Sequence, residues 1–190
     1  MDHDRLFKEL LTTFFVEFIE LFFPKVAAAL DRESIEFLDK EIFIDLGSRE
    51  RNEVDLAAKV RLLSKEAYIL IHVENQAYWQ FGFPRRMFDY FAPLHRKFDM
   101  PVYPIAIFSY DRPLTPAVDR YEVVAFDLSV LQFQFRSIQL NRMNWRDFLS
   151  KPNPVAGALM TKMNIEPTDR PRVKLECLHA RNAKIESGKV

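Results

Sequence analysis

Residues 53–76 constrain the fold more than any other stretch of the chain. Val54, Leu56, Ala58, Val60 and Leu62 alternate with Asp55, Ala57, Lys59 and Arg61, and after a short polar interruption Ile69, Ile71 and Val73 repeat the spacing within the β-prone run Tyr68–Val73. A period of two places alternate side chains on opposite faces of a strand. Two such segments this close together predict an antiparallel hairpin with one apolar face. With Lys65-Glu66 as the turn, Ser64 faces Ala67, Ala57 faces Glu74 and Asp55 faces Gln76. Directly paired residues and their i, i+2 neighbours share a face. Asp55, Glu74 and Gln76 are therefore expected to converge on the side opposite the apolar residues, with Lys59 opposite His72 further along. A one-residue slip would destroy that convergence.

Two converging carboxylates repel by about 4 kcal/mol at about 4 Å and an effective dielectric near 20. Such a pair holds a proton, spreads apart or binds a cation. A hard cation, Mg²⁺ or Mn²⁺, suits two carboxylates together with waters and phosphate oxygens. It would lower the pKa of a bound water and stabilise developing charge. The plainer reading keeps Asp55 and Glu74 on a solvated sheet face, where acids, Lys and His are ordinary. Spacing alone leaves both readings open.

The surrounding chain reads as alternating helices and strands. Leu6, Leu10, Phe14, Phe18 and Leu21 form one stripe of a helix over 4–23, capped by Asp2 or Asp4 and ended by Pro24. Strands are expected at 35–46, 53–63 and 67–76. A second helix runs from Pro84 to about Phe98, kinked or split at Pro93. Strands follow at Val102–Tyr110 and Tyr121–Leu128. From Val130 onward the pattern reads as helical, with candidates at Trp145–Leu149, Pro154–Met163 and Pro171–Ala183. A meander of three strands, followed by a helix and a parallel strand through a right-handed crossover, gives a mixed α/β sandwich.

Composition narrows function only a little. The chain has 190 residues, enough for one substantial core, and a formal net charge of zero. A basic footprint over the whole chain is absent, so any nucleic-acid contact must come from local patches. Phe occurs 18 times against 4 Gly, which favours bulky cores over tight turns. A single cysteine, Cys177, cannot form an internal disulfide, and the start Met1-Asp2-His3-Asp4 is acidic where a secretory leader is basic; a cytoplasmic location is expected. Phe14–Phe23 falls short of the roughly 20 residues that span a bilayer, so no membrane partner is expected. The four histidines have no zinc spacing, and neither a Gly-rich phosphate loop nor a serine nucleophile elbow is present.

Several segments together resemble a known family. They are Asp2-His3-Asp4-Arg5-Leu6-Phe7-Lys8-Glu9-Leu10, Glu53-Val54-Asp55-Leu56, His72-Val73-Glu74-Asn75-Gln76, Arg86-Met87-Phe88-Asp89-Tyr90-Phe91 and Pro104-Ile105-Ala106-Ile107-Phe108-Ser109-Tyr110-Asp111. Over roughly residues 2–178 the chain resembles the PD-(D/E)XK nuclease superfamily, and within it the bacterial recombination-promoting nuclease and putative transposase family. The resemblance implies a restriction-endonuclease-like α-β-β-β-α-β core with a mixed central sheet and C-terminal helices. It implies magnesium-dependent cleavage of DNA, with Asp55 and Glu74 as metal ligands and Gln76 completing the catalytic set. Gln76 stands where most of the superfamily has Lys. An ammonium can orient water and neutralise charge, whereas an amide can only orient. Lys59, on the same face, is a candidate for the missing charge, although a solvent-facing lysine is the simpler reading.

Further candidates follow from the same resemblance. An acid from the first helix, Asp4 or Glu9, is a tentative addition, against a helix cap for Asp4 and a solvated position for Glu9. Arg85, Arg86 and Tyr90 open the second helix and could meet a phosphate backbone, against surface arginines and a core tyrosine. His72 could sit beside the carboxylates, although a satisfied structural histidine is the simpler reading. The expected division is a nuclease-like core over 1–128 and a helical extension over 129–190, shortened relative to the family. DNA is the expected partner, and a homodimer is left open. The alternative function is a catalytically degenerate nuclease fold that binds DNA or a protein.

Overall fold

The computed structural model describes residues 3–38, 56–64, 68–173 and 175–176. The architecture is α/β, built on a mixed central sheet. Helices α1 (His3–Thr13), α2 (Phe15–Phe22) and α3 (Pro24–Ala27) lead into strand β1 (Glu36–Phe37). Strands β2 (Leu56–Arg61) and β3 (Tyr68–Gln76) follow, then helix α4 (Phe83–Phe98) and strand β4 (Val102–Phe108). Strands β5 (Arg120–Ala125), β6 (Leu128–Gln134) and β7 (Arg136–Gln139) precede helix α5 (Pro154–Met160). Among the described residues the main sheet has five strands in the order β1-β2-β3-β4-β7, and β5 and β6 form a separate ribbon. The β1-β2 and β2-β3 pairs are antiparallel, and β3-β4 and β4-β7 are parallel.

The expected hairpin exists, with its pairing two residues out of the expected register. Ala57 faces His72 rather than Glu74, and the described ladder runs from Leu56↔Val73 to Arg61↔Tyr68. Past β2 the chain also pairs on its other edge. Leu62 bridges to Leu30, and the Leu63 N–H donates to the Ala29 carbonyl at 2.9 Å. These contacts continue the β1 side of β2 past Arg61. Because the shift is two residues, the division between faces survives. Leu56, Ala58, Val60, Ile71 and Val73 join Ile105, Ile107 and Ile138 in one apolar cluster. Leu11, Phe15, Phe18 and Ile19 cover it from α1 and α2, and Val155, Ala156 and Leu159 from α5.

Other expectations change in detail. The first helix is interrupted at Phe14, whose φ of −120° and ψ of 39° are not helical; the preceding Thr12-Thr13 pair is β-branched and weakly helical. Helix α2 ends at Phe22, one residue before the expected end, and Pro24 opens the short α3. Helix α4 is a single element with Pro93 inside it. The carbonyl that Pro93 cannot serve belongs to exposed Asp89, where solvent can reach it. The largest correction lies after Val130, where strands β6 and β7 replace the expected helix. Leu131, Phe133 and Phe135 alternate with exposed Val130, Gln132 and Gln134, a strand period that the helical reading overlooked. β6 pairs with β5, so the ribbon runs across position 128, and β7 joins the central sheet. Residues 145–148 form a 3-10 turn, and the chain is helical at 170–173. Cys177 and the rest of the expected last helix lie outside the described residues.

Candidate functional site

The site face is the side of the sheet covered by α4. Phe83, Met87, Tyr90 and Leu94 form the buried stripe of that helix. Helix α4 runs back along β3 after the connecting loop, so its successive turns meet alternate strand residues. Four helical residues rise about 6 Å, and two strand residues about 6.6 Å. Arg86 thus meets Glu74 and Gln76, and Tyr90, one turn on, meets His72. Ala106 and Phe108 of β4 lie beside Glu74 and Gln76 in the parallel ladder. The small Ala106 leaves the helix room to approach.

This face is not solvated, which corrects the plainer reading of Glu74. Glu74 is 2% exposed, and His72 and Gln76 are equally buried. Burial of a carboxylate requires partners. His72 Nε2 lies 3.0 Å from Glu74 Oε1, and Arg86 Nη2 lies 3.9 Å from Glu74 Oε2. At that separation the attraction to Arg86 is about 4 kcal/mol before desolvation, at an effective dielectric near 20. The histidine ring stands edge-on to Tyr90, with centroids 5.7 Å apart. His72 Nδ1 is buried and has no hydrogen-bond partner among the described residues. The tautomer protonated on Nε2 donates to Glu74 and leaves only a lone pair at Nδ1, which avoids orphaning a buried N–H.

Gln76 has a different role from the one expected. Its Oε1 accepts from Arg86 Nη2 at 2.6 Å, and its Nε2 donates to the Tyr78 carbonyl at 2.6 Å. Arg86 Nη1 donates in turn to Gln80 Oε1 at 3.1 Å, and the guanidinium lies 5.0 Å from the Phe83 ring centre. Gln76 is therefore fitted to hold an arginine rather than a water. The charge that an amide cannot supply stands beside it, on Arg86. Sequence reasoning placed Arg86 only near a phosphate backbone and favoured a structural His72 over one beside the carboxylates, where it lies. Two signals were available: the alternation of His72, Glu74 and Gln76 puts all three on one face, and the nine residues between Gln76 and Arg86 allow a tight return.

The remaining candidates separate from this cluster. Lys59 pairs with Leu70, four residues and about 13 Å along the strand from Glu74. Its ammonium lies 4.7 Å from the Tyr68 ring centre, so Lys59 does not supply the missing charge. Helix α1 begins at His3, which puts Asp4 inside the helix rather than at its cap. Glu9 is exposed on α1, whose Leu11 packs on the apolar side of the sheet, away from Glu74. Arg85 is exposed, 3.9 Å from Asp89. Tyr90 is buried, as the core reading expects. Asp55 lies outside the described residues; it directly precedes Leu56, whose partner is Val73.

Among the described residues, no group of three or more His, Cys, Asp or Glu side chains could hold a metal ion. Of the two expected metal ligands only Glu74 is described, and its carboxylate is contacted by His72 and Arg86. Near the end of β4, burial pushes the Tyr110 phenol above its ordinary pKa, which keeps it neutral. No helix among the described residues is long and apolar enough to cross a membrane. No family model, no curated protein and no solved structure matches this chain.

Proposed function

We propose that the protein is a metal-dependent DNA endonuclease of the recombination-promoting type that its sequence resembles. The observation that carries the reading is the buried Glu74 on β3, flanked on its own face by His72, Gln76 and the guanidinium of Arg86. The reading extends the β2-β3 ladder by one residue, which would set Asp55 opposite Glu74. Asp55 and Glu74 would then hold Mg²⁺ or Mn²⁺. The bound ion would supply an activated water and stabilise charge on the phosphate. His72 fixes one carboxylate oxygen of Glu74 and so its orientation. Gln76 and Gln80 hold Arg86, whose charge would take a phosphate oxygen in the role that lysine fills elsewhere in the superfamily.

Nicking of supercoiled DNA by the purified protein in Mg²⁺ or Mn²⁺ tests this reading. Asp55→Ala should abolish nicking while leaving the circular dichroism spectrum unchanged. Nicking that persists in that variant removes Asp55 from the site.

One observation favours a second reading, a degenerate nuclease fold that binds DNA or a protein without cutting. The Glu74 carboxylate already has a cation, Arg86, and a histidine beside it, so its burial does not require a metal. A calorimetric titration separates the two. Binding of Mg²⁺ or Mn²⁺ that disappears in Glu74→Gln supports the enzyme, and no binding at millimolar concentrations supports the degenerate fold.

A further inference from the structure

Between β3 and α4, the loop at 77–82 exposes three aromatic rings. Tyr78 is 63% exposed, Trp79 56% and Phe81 88%. The rest of this region buries its rings: Phe83, at the start of α4, packs on Phe108 at 5.1 Å and on Phe135 at 6.0 Å. The three loop rings therefore stay out of a core that begins two residues after Phe81. Packing gives no reason for three large rings so close together in water.

The loop is tied to the candidate site by hydrogen bonds. The Tyr78 carbonyl accepts from Gln76 Nε2, and the Gln80 side chain accepts from Arg86 Nη1. The Gly82 carbonyl accepts from the Arg86 N–H at 3.1 Å. The residues that surround Glu74 thus also hold the base of the aromatic loop. From Ala77 to Phe88 the sequence contains Arg85 and Arg86 and no acid; Asp89 lies 3.9 Å from exposed Arg85 and Glu74 lies 3.9 Å from Arg86, at contacts longer than a hydrogen bond. The N-terminus of the 16-residue α4 adds its dipole at the same place.

We propose that this loop is a stacking lip for unpaired nucleotides of DNA whose backbone lies along Arg85 and Arg86. The inference rests on the nuclease reading for the neighbouring chemistry and names its substrate class. Exposed rings beside cationic side chains are the combination that binds single strands: phosphates meet the charge and bases stack on the rings without sequence preference. Paired bases inside a duplex cannot offer their faces to a loop, so the ligand is a single strand, a frayed end or a flipped-out base. An apolar protein partner would cover the rings but would gain nothing from the two arginines beside them.

Fluorescence anisotropy with a labelled oligo-dT of about 15 nucleotides, in EDTA and low salt, tests the proposal without cleavage. Wild type should bind the oligo-dT more tightly than a blunt duplex of equal length. Trp79→Ala and Phe81→Ala should each weaken binding about tenfold, within the range measured for single stacked bases. Trp79→Phe should keep most of the affinity. Absence of oligo-dT binding by wild type, or a preference for the duplex, overturns the proposal. So does unchanged binding when Trp79→Ala and Phe81→Ala are combined, which would leave the loop to a protein partner. The two readings fail separately: loss of nicking activity with ring-dependent oligo-dT binding removes the nuclease alone, and nicking with ring-independent binding removes the lip alone.

Discussion

The two faces of the central sheet are built from the same strands on opposite principles. On the side of α1, α2 and α5, every buried strand residue of β2 and β3 in the cluster is aliphatic. On the side of α4, the alternate residues of β3 are Leu70, His72, Glu74 and Gln76, all buried. An aliphatic face needs only shape, whereas a buried carboxylate needs partners at hydrogen-bond distance. The α4 side has them, on His72 and Arg86. The contrast teaches that one face holds the fold together and the other tolerates a desolvation cost that packing alone would not require. Each face makes its own prediction.

The largest effect belongs to the aliphatic face. Ile71→Ala removes a fully buried side chain at the centre of the larger cluster. It should destabilise the protein by about 3 kcal/mol, through lost transfer energy and a residual cavity. Urea denaturation of wild type and variant measures the difference. A loss under about 1 kcal/mol would mean that this side collapses around the gap, and the contrast with the α4 side would lose its basis.

The next effect belongs to the polar face. Arg86→Met keeps much of the side-chain volume and removes the charge, taking the 2.6 Å bond to Gln76 with it. The expected cost is about 2 kcal/mol, as for hydrogen bonds that involve a charged group. Part of that cost is the Glu74 carboxylate left without its cation. Against a Glu74→Gln background, the same substitution should therefore cost about 1 kcal/mol less. Equal costs in the two backgrounds would mean that Arg86 serves Gln76 alone and that Glu74 is satisfied by other groups.

These two experiments also mark what the sequence made legible. The division between faces could be read, because a period of two survives any even shift in register. The register itself could not, because several turn positions between the two strands keep the same faces, and only the observed pairing of Ala57 with His72 separates them. The expectation that Glu74 and Gln76 share a face therefore held, while the pairing of Ala57 with Glu74 did not. Arg86 was visible as a candidate but not as the partner of Gln76, since only the path of loop 77–82 brings the two together. The β5-β6 ribbon was anticipated at β5 only, and its second strand was missed for a different reason. The ribbon's outward positions include Val124, Leu128 and Val130, so the apolar residues lie on both faces and obscure the alternation.

The smallest effect concerns a polar contact outside both faces, and it sharpens the contrast by comparing buried with solvated charge. Arg61, at the end of β2, donates through Nε to Asp31 Oδ2 at 3.0 Å and forms an ion pair with it through Nη2. The Arg61 hydrogen bond holds the Asp31 carboxyl below its ordinary pKa, with desolvation opposing it and the Glu33 N–H assisting. A carboxyl whose pKa is lowered on folding binds fewer protons in the folded than in the unfolded state across that interval. Its contribution is complete above the unfolded value and fades as pH falls through the folded one. The stability difference between wild type and Asp31→Asn should therefore be present at neutral pH, shrink in the acid range and weaken with added salt. A difference that stays constant from neutral to acid pH would assign the effect of Asp31 to its cap on the turn at Arg32–Ser34, where the Glu33 N–H donates to Oδ1 at 3.2 Å. An asparagine side chain can accept that bond at any pH, so a constant gap would also require that the amide fit the turn less well than the carboxylate does.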